Sequence, residues 1–172
     1  MNISDFNDLI INDNRFNMTK KNIIEIKELL FRYVDNCPSK KGPERAKKFK
    51  DYNIFHGYDY KCLKKEIYKI INENNYIFFE NNNSSSLNYD IIKQKYYNIK
   101  SPCIIFAKAE YSEIDSLFKR IRNSFAHGNY FKNKNYYILW NVNRNNCLSS
   151  FMKLKYVHLF NIFECLKFKE IR

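Results

Sequence analysis

The sequence predicts a mainly α-helical chain with one small β-hairpin, and three observations carry that expectation. Apolar residues recur at spacings of three and four in several separate stretches. Only 3 Gly and 3 Pro punctuate the chain, too few for linker-dominated, propeller-like or collagen-like architectures. With 172 residues, 45% of them hydrophobic, the chain can bury a sizeable core without disulfide staples, which excludes disorder throughout and a disulfide miniprotein. No repeat or composition shift divides it, so residues 1–172 read as one domain, with the segment up to about residue 18 unassigned.

The first helix is expected after Thr19, a suitable cap, with Ile23, Ile26, Leu29, Leu30, Tyr33 and Val34 on one stripe and Cys37-Pro38 as the stop. Lys40 to Lys50 follows as a basic stretch, with Pro43 suited to a first helical position; it reads either as a solvated basic helix or as an RNA contact. Leu63, Ile67, Ile70 and Ile71 mark a helix through Tyr60 to Asn74, Asn81 to Ser86 is a polar loop, and Tyr89 to Tyr97 is another helix. The strongest pattern runs from Tyr111 to His127, where Ile114, Leu117, Phe118, Ile121 and Phe125 form one apolar face ahead of Gly128. Beyond it, Asn129 to Lys132 and Asn135 to Asn143 suit the hairpin, a third short strand fits near Ser150, and a helical period from Leu154 closes the chain. Leu9-Ile10-Ile11 is compatible with strand, helix or a contact between two copies.

Thirty Lys and Arg against 18 Asp and Glu give a net charge of +12, which suits a polyanion partner, although A+T-rich codons supply the same residue types. Distribution is more informative than the total. No acidic residue falls between Asp115 and Glu164, while Lys119, Arg120, Arg122, Lys132, Lys134, Arg144, Lys153 and Lys155 all do. Five scattered cysteines without a C-x-x-C pair suit a reducing, cytoplasmic setting. No apolar run is long enough for a membrane span, and the N-terminus has no signal-peptide pattern.

At about 100° per residue, Asn123 and His127 project opposite the apolar face of their helix, Arg120 lies near them, and Arg122 sits on the flank. An arginine and a histidine so placed supply the minimum for metal-independent RNA cleavage. Imidazole can take the proton of a ribose 2′-OH, and guanidinium can hold the phosphate and offset charge on the phosphorane. Arg122 and His127 point about 140° apart on one helix, so one copy is poorly arranged to bracket one phosphate, and a two-fold pair of copies would be better placed.

The run Arg122-Asn123-Ser124-Phe125-Ala126-His127-Gly128 resembles the R-x4-6-H motif of the HEPN superfamily, whose motif ends a helix of an all-α bundle. The match covers these seven residues and, in arrangement, the C-terminal half. The resemblance implies a HEPN-like helical bundle with a small β-hairpin after the motif helix. It also implies a homodimeric, metal-independent endoribonuclease acting as a toxin or antiphage effector, with Arg122 and His127 catalytic and Asn123 orienting the site. A neutralising antitoxin or an activating protein is the implied partner. Related toxins neutralised by nucleotidyltransferases carry a tyrosine two residues after the histidine; here Asn129 holds that position and the tyrosine is Tyr130.

Lys119, Arg120, Tyr130, Lys132 and Lys134 are the candidate RNA-binding residues, because cations interleaved with aromatic rings suit single-stranded RNA. The alternative for these hairpin rings is packing on the helices. No cofactor or metal is expected: His56, Cys37 and Cys62 match no zinc spacing, and there is no glycine-rich phosphate loop. The competing function is a catalytically silent HEPN module that binds RNA, a nucleotide or a protein partner.

Overall fold

Among the described residues, five strands organise the fold: β1 (Tyr76–Phe79), β2 (Cys103–Ala107), β3 (Tyr130–Asn133), β4 (Tyr136–Val142) and β5 (Leu148–Leu154). The computed structural model describes residues 4, 6, 7, 19–38, 47–80, 87–98 and 100–167. It joins the strands in the order β1-β2-β5-β4-β3, with β1 parallel to β2 and the other pairs antiparallel. This overturns the mainly α, HEPN-like helical bundle with a small hairpin. The hairpin of β3 and β4 is one end of a five-stranded mixed sheet, and the fold is α/β.

The sheet forms because its middle is apolar on both faces. All five residues of β2 are buried, with Ile104 and Phe106 packed into one core and Cys103 and Ile105 into the other. A strand covered on both sides reads as a continuous apolar run, not as an alternation. β5, expected as a short extra strand near Ser150, is a seven-residue central strand buried along its whole length.

One face carries the helices α1 (Lys20–Leu30), α2 (Tyr58–Ile71), α4 (Glu113–Ala126) and α5 (Tyr156–Glu164). The other carries α3 (Tyr89–Tyr97) and Phe6, whose ring meets Trp140 at 5.6 Å and Phe151 at 6.0 Å. α1 starts where its cap was expected: the Thr19 hydroxyl accepts the Asn22 N–H at 3.2 Å. It continues through a wider π-turn at Phe31–Asp35, which brings Tyr33 onto Phe125 of α4, stacked at 5.6 Å. The Tyr33 hydroxyl, fully buried, donates to the Leu159 carbonyl of α5 at 2.6 Å, so one side chain ties three helices together.

Leu9-Ile10-Ile11, Lys40 to Arg45 of the basic stretch, and the Asn81 to Ser86 loop lie outside the described residues. Among those described, no helix is long and apolar enough to cross a membrane.

Candidate active site

α4 presents the motif. Its N-terminus is fixed by Ser112, whose hydroxyl accepts the Asp115 N–H at 3.1 Å and donates to the Asp115 carboxylate at 2.7 Å. The five predicted apolar residues, Ile114, Leu117, Phe118, Ile121 and Phe125, are all buried. Its C-terminus is fixed by the backbone alone. Gly128 takes a φ of +69°, which lets its N–H reach the Phe125 carbonyl (3.2 Å) and the Asn129 N–H reach the Ser124 carbonyl (2.8 Å). This is a Schellman closure, and it leaves the His127 side chain out of the capping.

Beneath the motif lies a buried polar network that sequence periodicity did not reveal. The Asn141 amide of β4 lies 2.7 Å from the Arg120 carbonyl, 2.8 Å from the Ser124 hydroxyl and 2.9 Å from the Ser150 hydroxyl. Its two protons serve two of these three acceptors at a time. Ser124, inside the motif, also lies 2.9 Å from the Trp140 carbonyl. These bonds lock the register of α4 against β4 and β5, and with it the direction of Arg122, Asn123 and His127. Asn141→Ala removes the amide and strands buried acceptors, so a loss of about 2–3 kcal/mol in urea unfolding is expected. An unchanged midpoint would show that the network does not hold the helix.

The candidate residues divide into committed and uncommitted side chains. Lys119 is spent on Glu110 at 2.6 Å. Arg120 turns inward, away from Asn123 and His127: its guanidinium donates to the Ala107 carbonyl (3.2 and 3.3 Å) and to the Ser149 hydroxyl (2.8 Å). Burial holds it down to about 10, still charged at neutral pH. Lys132 is spent on Asn22 (2.6 Å) and Glu25 (2.9 Å) of α1. Tyr130 packs on Phe125 at 5.2 Å, and Phe131, Tyr136 and Tyr137 are buried. Most hairpin rings are therefore core.

Arg122, Asn123 and His127 differ. His127 is exposed and the other two are half-buried, and none of the three side chains makes a hydrogen bond or ion pair among the described residues. Arg122 lies close enough to Cys37 for its charge to act on that thiol, although burial dominates and pushes the thiol well up. Lys134, at the tip of the hairpin with a φ of +53°, is likewise exposed. Of the other histidines, His56 is exposed against Tyr60 (4.5 Å), and the His158 Nδ1 accepts the Lys155 N–H at 3.2 Å, capping α5. Burial, with Lys155 adding to it, holds His158 below its ordinary value.

Of the five cations between residues 119 and 134, three are thus held by the chain itself, and Arg122 and Lys134 have no such partner among the described residues. No family model matches the chain, and no curated protein and no solved structure matches it significantly.

Proposed function

We propose that the chain is a metal-independent endoribonuclease of HEPN type, with Arg122, Asn123 and His127 at its reactive centre. One observation carries this reading: a rigidly held helix end presents three uncommitted polar side chains of complementary chemistry, inside a stretch of 48 residues, 116–163, without an acidic side chain. A surface that needed these groups for stability would have paired them, as it pairs Lys119, Arg120 and Lys132. The likeness to HEPN proteins rests on the motif and its helix end.

The His127 imidazole takes the proton of the ribose 2′-OH, the 2′-oxygen attacks phosphorus, and the bond to the 5′-oxygen breaks. The leaving oxygen takes a proton from water, the hydroxide so formed recovers the proton held by His127, and the products carry a 2′,3′-cyclic phosphate and a 5′-OH. Arg122 holds the phosphate through paired N–H donors and offsets the charge on the phosphorane, while Asn123 orients the bound phosphate. Because Arg122 and His127 diverge by about 140° around the helix, the site is completed by a second copy across a two-fold axis. This reading places the protein in the cytoplasm, as a toxin or antiphage effector held in check by an antitoxin or triggered by an activating protein.

The test is incubation of labelled single-stranded RNA with the purified protein in excess chelator. Fragments ending in 2′,3′-cyclic phosphate are expected. RNA that stays intact, or that is cut only when a divalent metal is added, overturns the reading.

A further inference from the structure

A cavity of about 170 Å³ opens on the sheet face opposite the motif helix. Tyr136 and Ile138 of β4 and Lys153 of β5 line it from the sheet, Tyr96 and Tyr97 from the end of α3, and Asn133 and Lys134 from the tip of the hairpin. It is smaller than the roughly 300 Å³ at which pockets for whole drug-sized ligands begin, and so has room for one flat ring.

The charge at this cavity is unusual. Lys153 is 3% exposed, and its ammonium donates to the Lys95 carbonyl at 2.6 Å and to the Asn98 carbonyl, at the helix end where carbonyls lack intrahelical partners. Its protons are directed at backbone, so it contributes a fixed positive field to the cavity and not a ligand contact. The Tyr136 ring lies beneath Lys153 and Lys155, at 5.3 and 5.6 Å. The fold also brings together here two stretches without a single acid, residues 91–109 and 116–163. Tyr97 stands at the rim, 58% exposed and edge-on to Tyr96 at 5.3 Å, an aromatic ring largely outside the core.

We infer that this cleft holds one unstacked base of single-stranded RNA, stacked on Tyr97, with an adjoining phosphate on Lys134. A flat ring beside an anion is the composition of a nucleotide, and an aromatic wall beside the exposed Lys134 matches both halves. The cleft's place in catalysis rests on the ribonuclease reading. β3, the edge strand on the hairpin side of the sheet, begins three residues after His127 and ends beside Lys134, a span of roughly 13 Å. An RNA strand following that edge would present one base to the cleft and a nearby phosphate to Arg122, so that the cleft selects where the chain is cut.

Binding of a short fluorescein-labelled single-stranded RNA to the His127→Ala variant, read by anisotropy, tests the cleft without consuming the RNA. Tyr97→Ala in that background is expected to weaken binding roughly ten-fold, Tyr97→Phe to retain it, and Lys134→Ala to lower the salt dependence by about one counterion. Inorganic polyphosphate, which has no ring, is expected to bind the Tyr97→Ala variant as it binds the parent. Unchanged RNA affinity in Tyr97→Ala, with an unchanged melting temperature showing it folded, overturns the proposal; so does an equal loss for polyphosphate. RNA cut by the wild type with unchanged Tyr97→Ala binding removes the cleft alone. RNA left uncut, together with a ten-fold loss in Tyr97→Ala, removes the ribonuclease reading alone.

Discussion

His127→Ala is expected to lower RNA cleavage by about 10²–10⁴-fold, the range that a positioned acid–base group supplies, and to leave the fold unchanged. The side chain is exposed and makes no hydrogen bond among the described residues, and the Schellman closure that ends α4 uses only backbone of Ser124, Phe125, Gly128 and Asn129. Truncation therefore removes chemistry without removing a cap or a packed group, and the change in stability should stay within about 0.5 kcal/mol. Arg122→Lys should be nearly as damaging as Arg122→Ala, because a lysine keeps the charge but loses the planar paired donors. If the site is shared by two copies, mixing the inactive Arg122→Ala and His127→Ala proteins restores part of the cleavage, since one of the two shared sites in a mixed pair keeps both groups. Cleavage by His127→Ala at the wild-type rate removes His127 from the mechanism.

The helices were legible because each is covered on one side. Thr19 and Gly128 announce the start of α1 and the end of α4 by local chemistry, and the apolar face of α4 follows directly from spacing. β1 and β2 were not legible, for a physical reason. Cys103–Ala107 is buried between two layers, and Tyr76–Phe79 is apolar at every position although half-buried at the sheet edge beyond Tyr76, so both lack the alternation that marks a half-covered strand, and they are too short to be separated from other apolar runs. Without β2, nothing in the sequence shows that β5 is central, because its pairing with β2 joins Cys103 to Lys153 and Ile104 to Met152, about fifty residues apart.

The same gap decided what could be read of the site. Helical spacing groups Arg120 with Asn123 and His127, yet Arg120 bonds to Ala107 at the end of β2 and to Ser149 on β5, two strands whose positions spacing alone did not give. Arg122, two residues on, finds no such acceptor among the described residues. The partner that holds Lys132, Glu25, lies 107 residues away. Local periodicity assigns a side chain to a face; only the long-range pairing shows whether that face is already occupied.

Lys132→Met carries the largest expected effect on stability. Lys132 and Glu25 are 15% and 11% exposed, bonded at 2.9 Å, and the Tyr137 hydroxyl donates to the same Glu25 oxygen at 2.8 Å. Removing the lysine leaves a buried carboxylate with one neutral donor, and a loss of about 3–5 kcal/mol is expected by urea unfolding. Adding Glu25→Gln, which still accepts from Tyr137, should recover much of that loss, because no uncompensated charge is left. The pH dependence follows from Glu25. Burial raises its carboxyl, but the hydrogen bonds from Lys132 and Tyr137 and the charges of Lys132 and Lys21 together outweigh burial and carry it below its ordinary 4.5. The wild type therefore holds this contribution above pH 4.5 and loses it as pH falls through the lowered folded value. In Lys132→Met burial is opposed by Tyr137 and Lys21 alone, so Glu25 takes its proton at a higher pH than in the wild type, protonation relieves the stranded charge, and the difference from wild type narrows as pH falls toward the wild type's lowered value. A gap that stays constant with pH, or a Lys132→Met protein as stable as wild type but weaker in RNA binding, would return Lys132 from the scaffold to the RNA-binding surface.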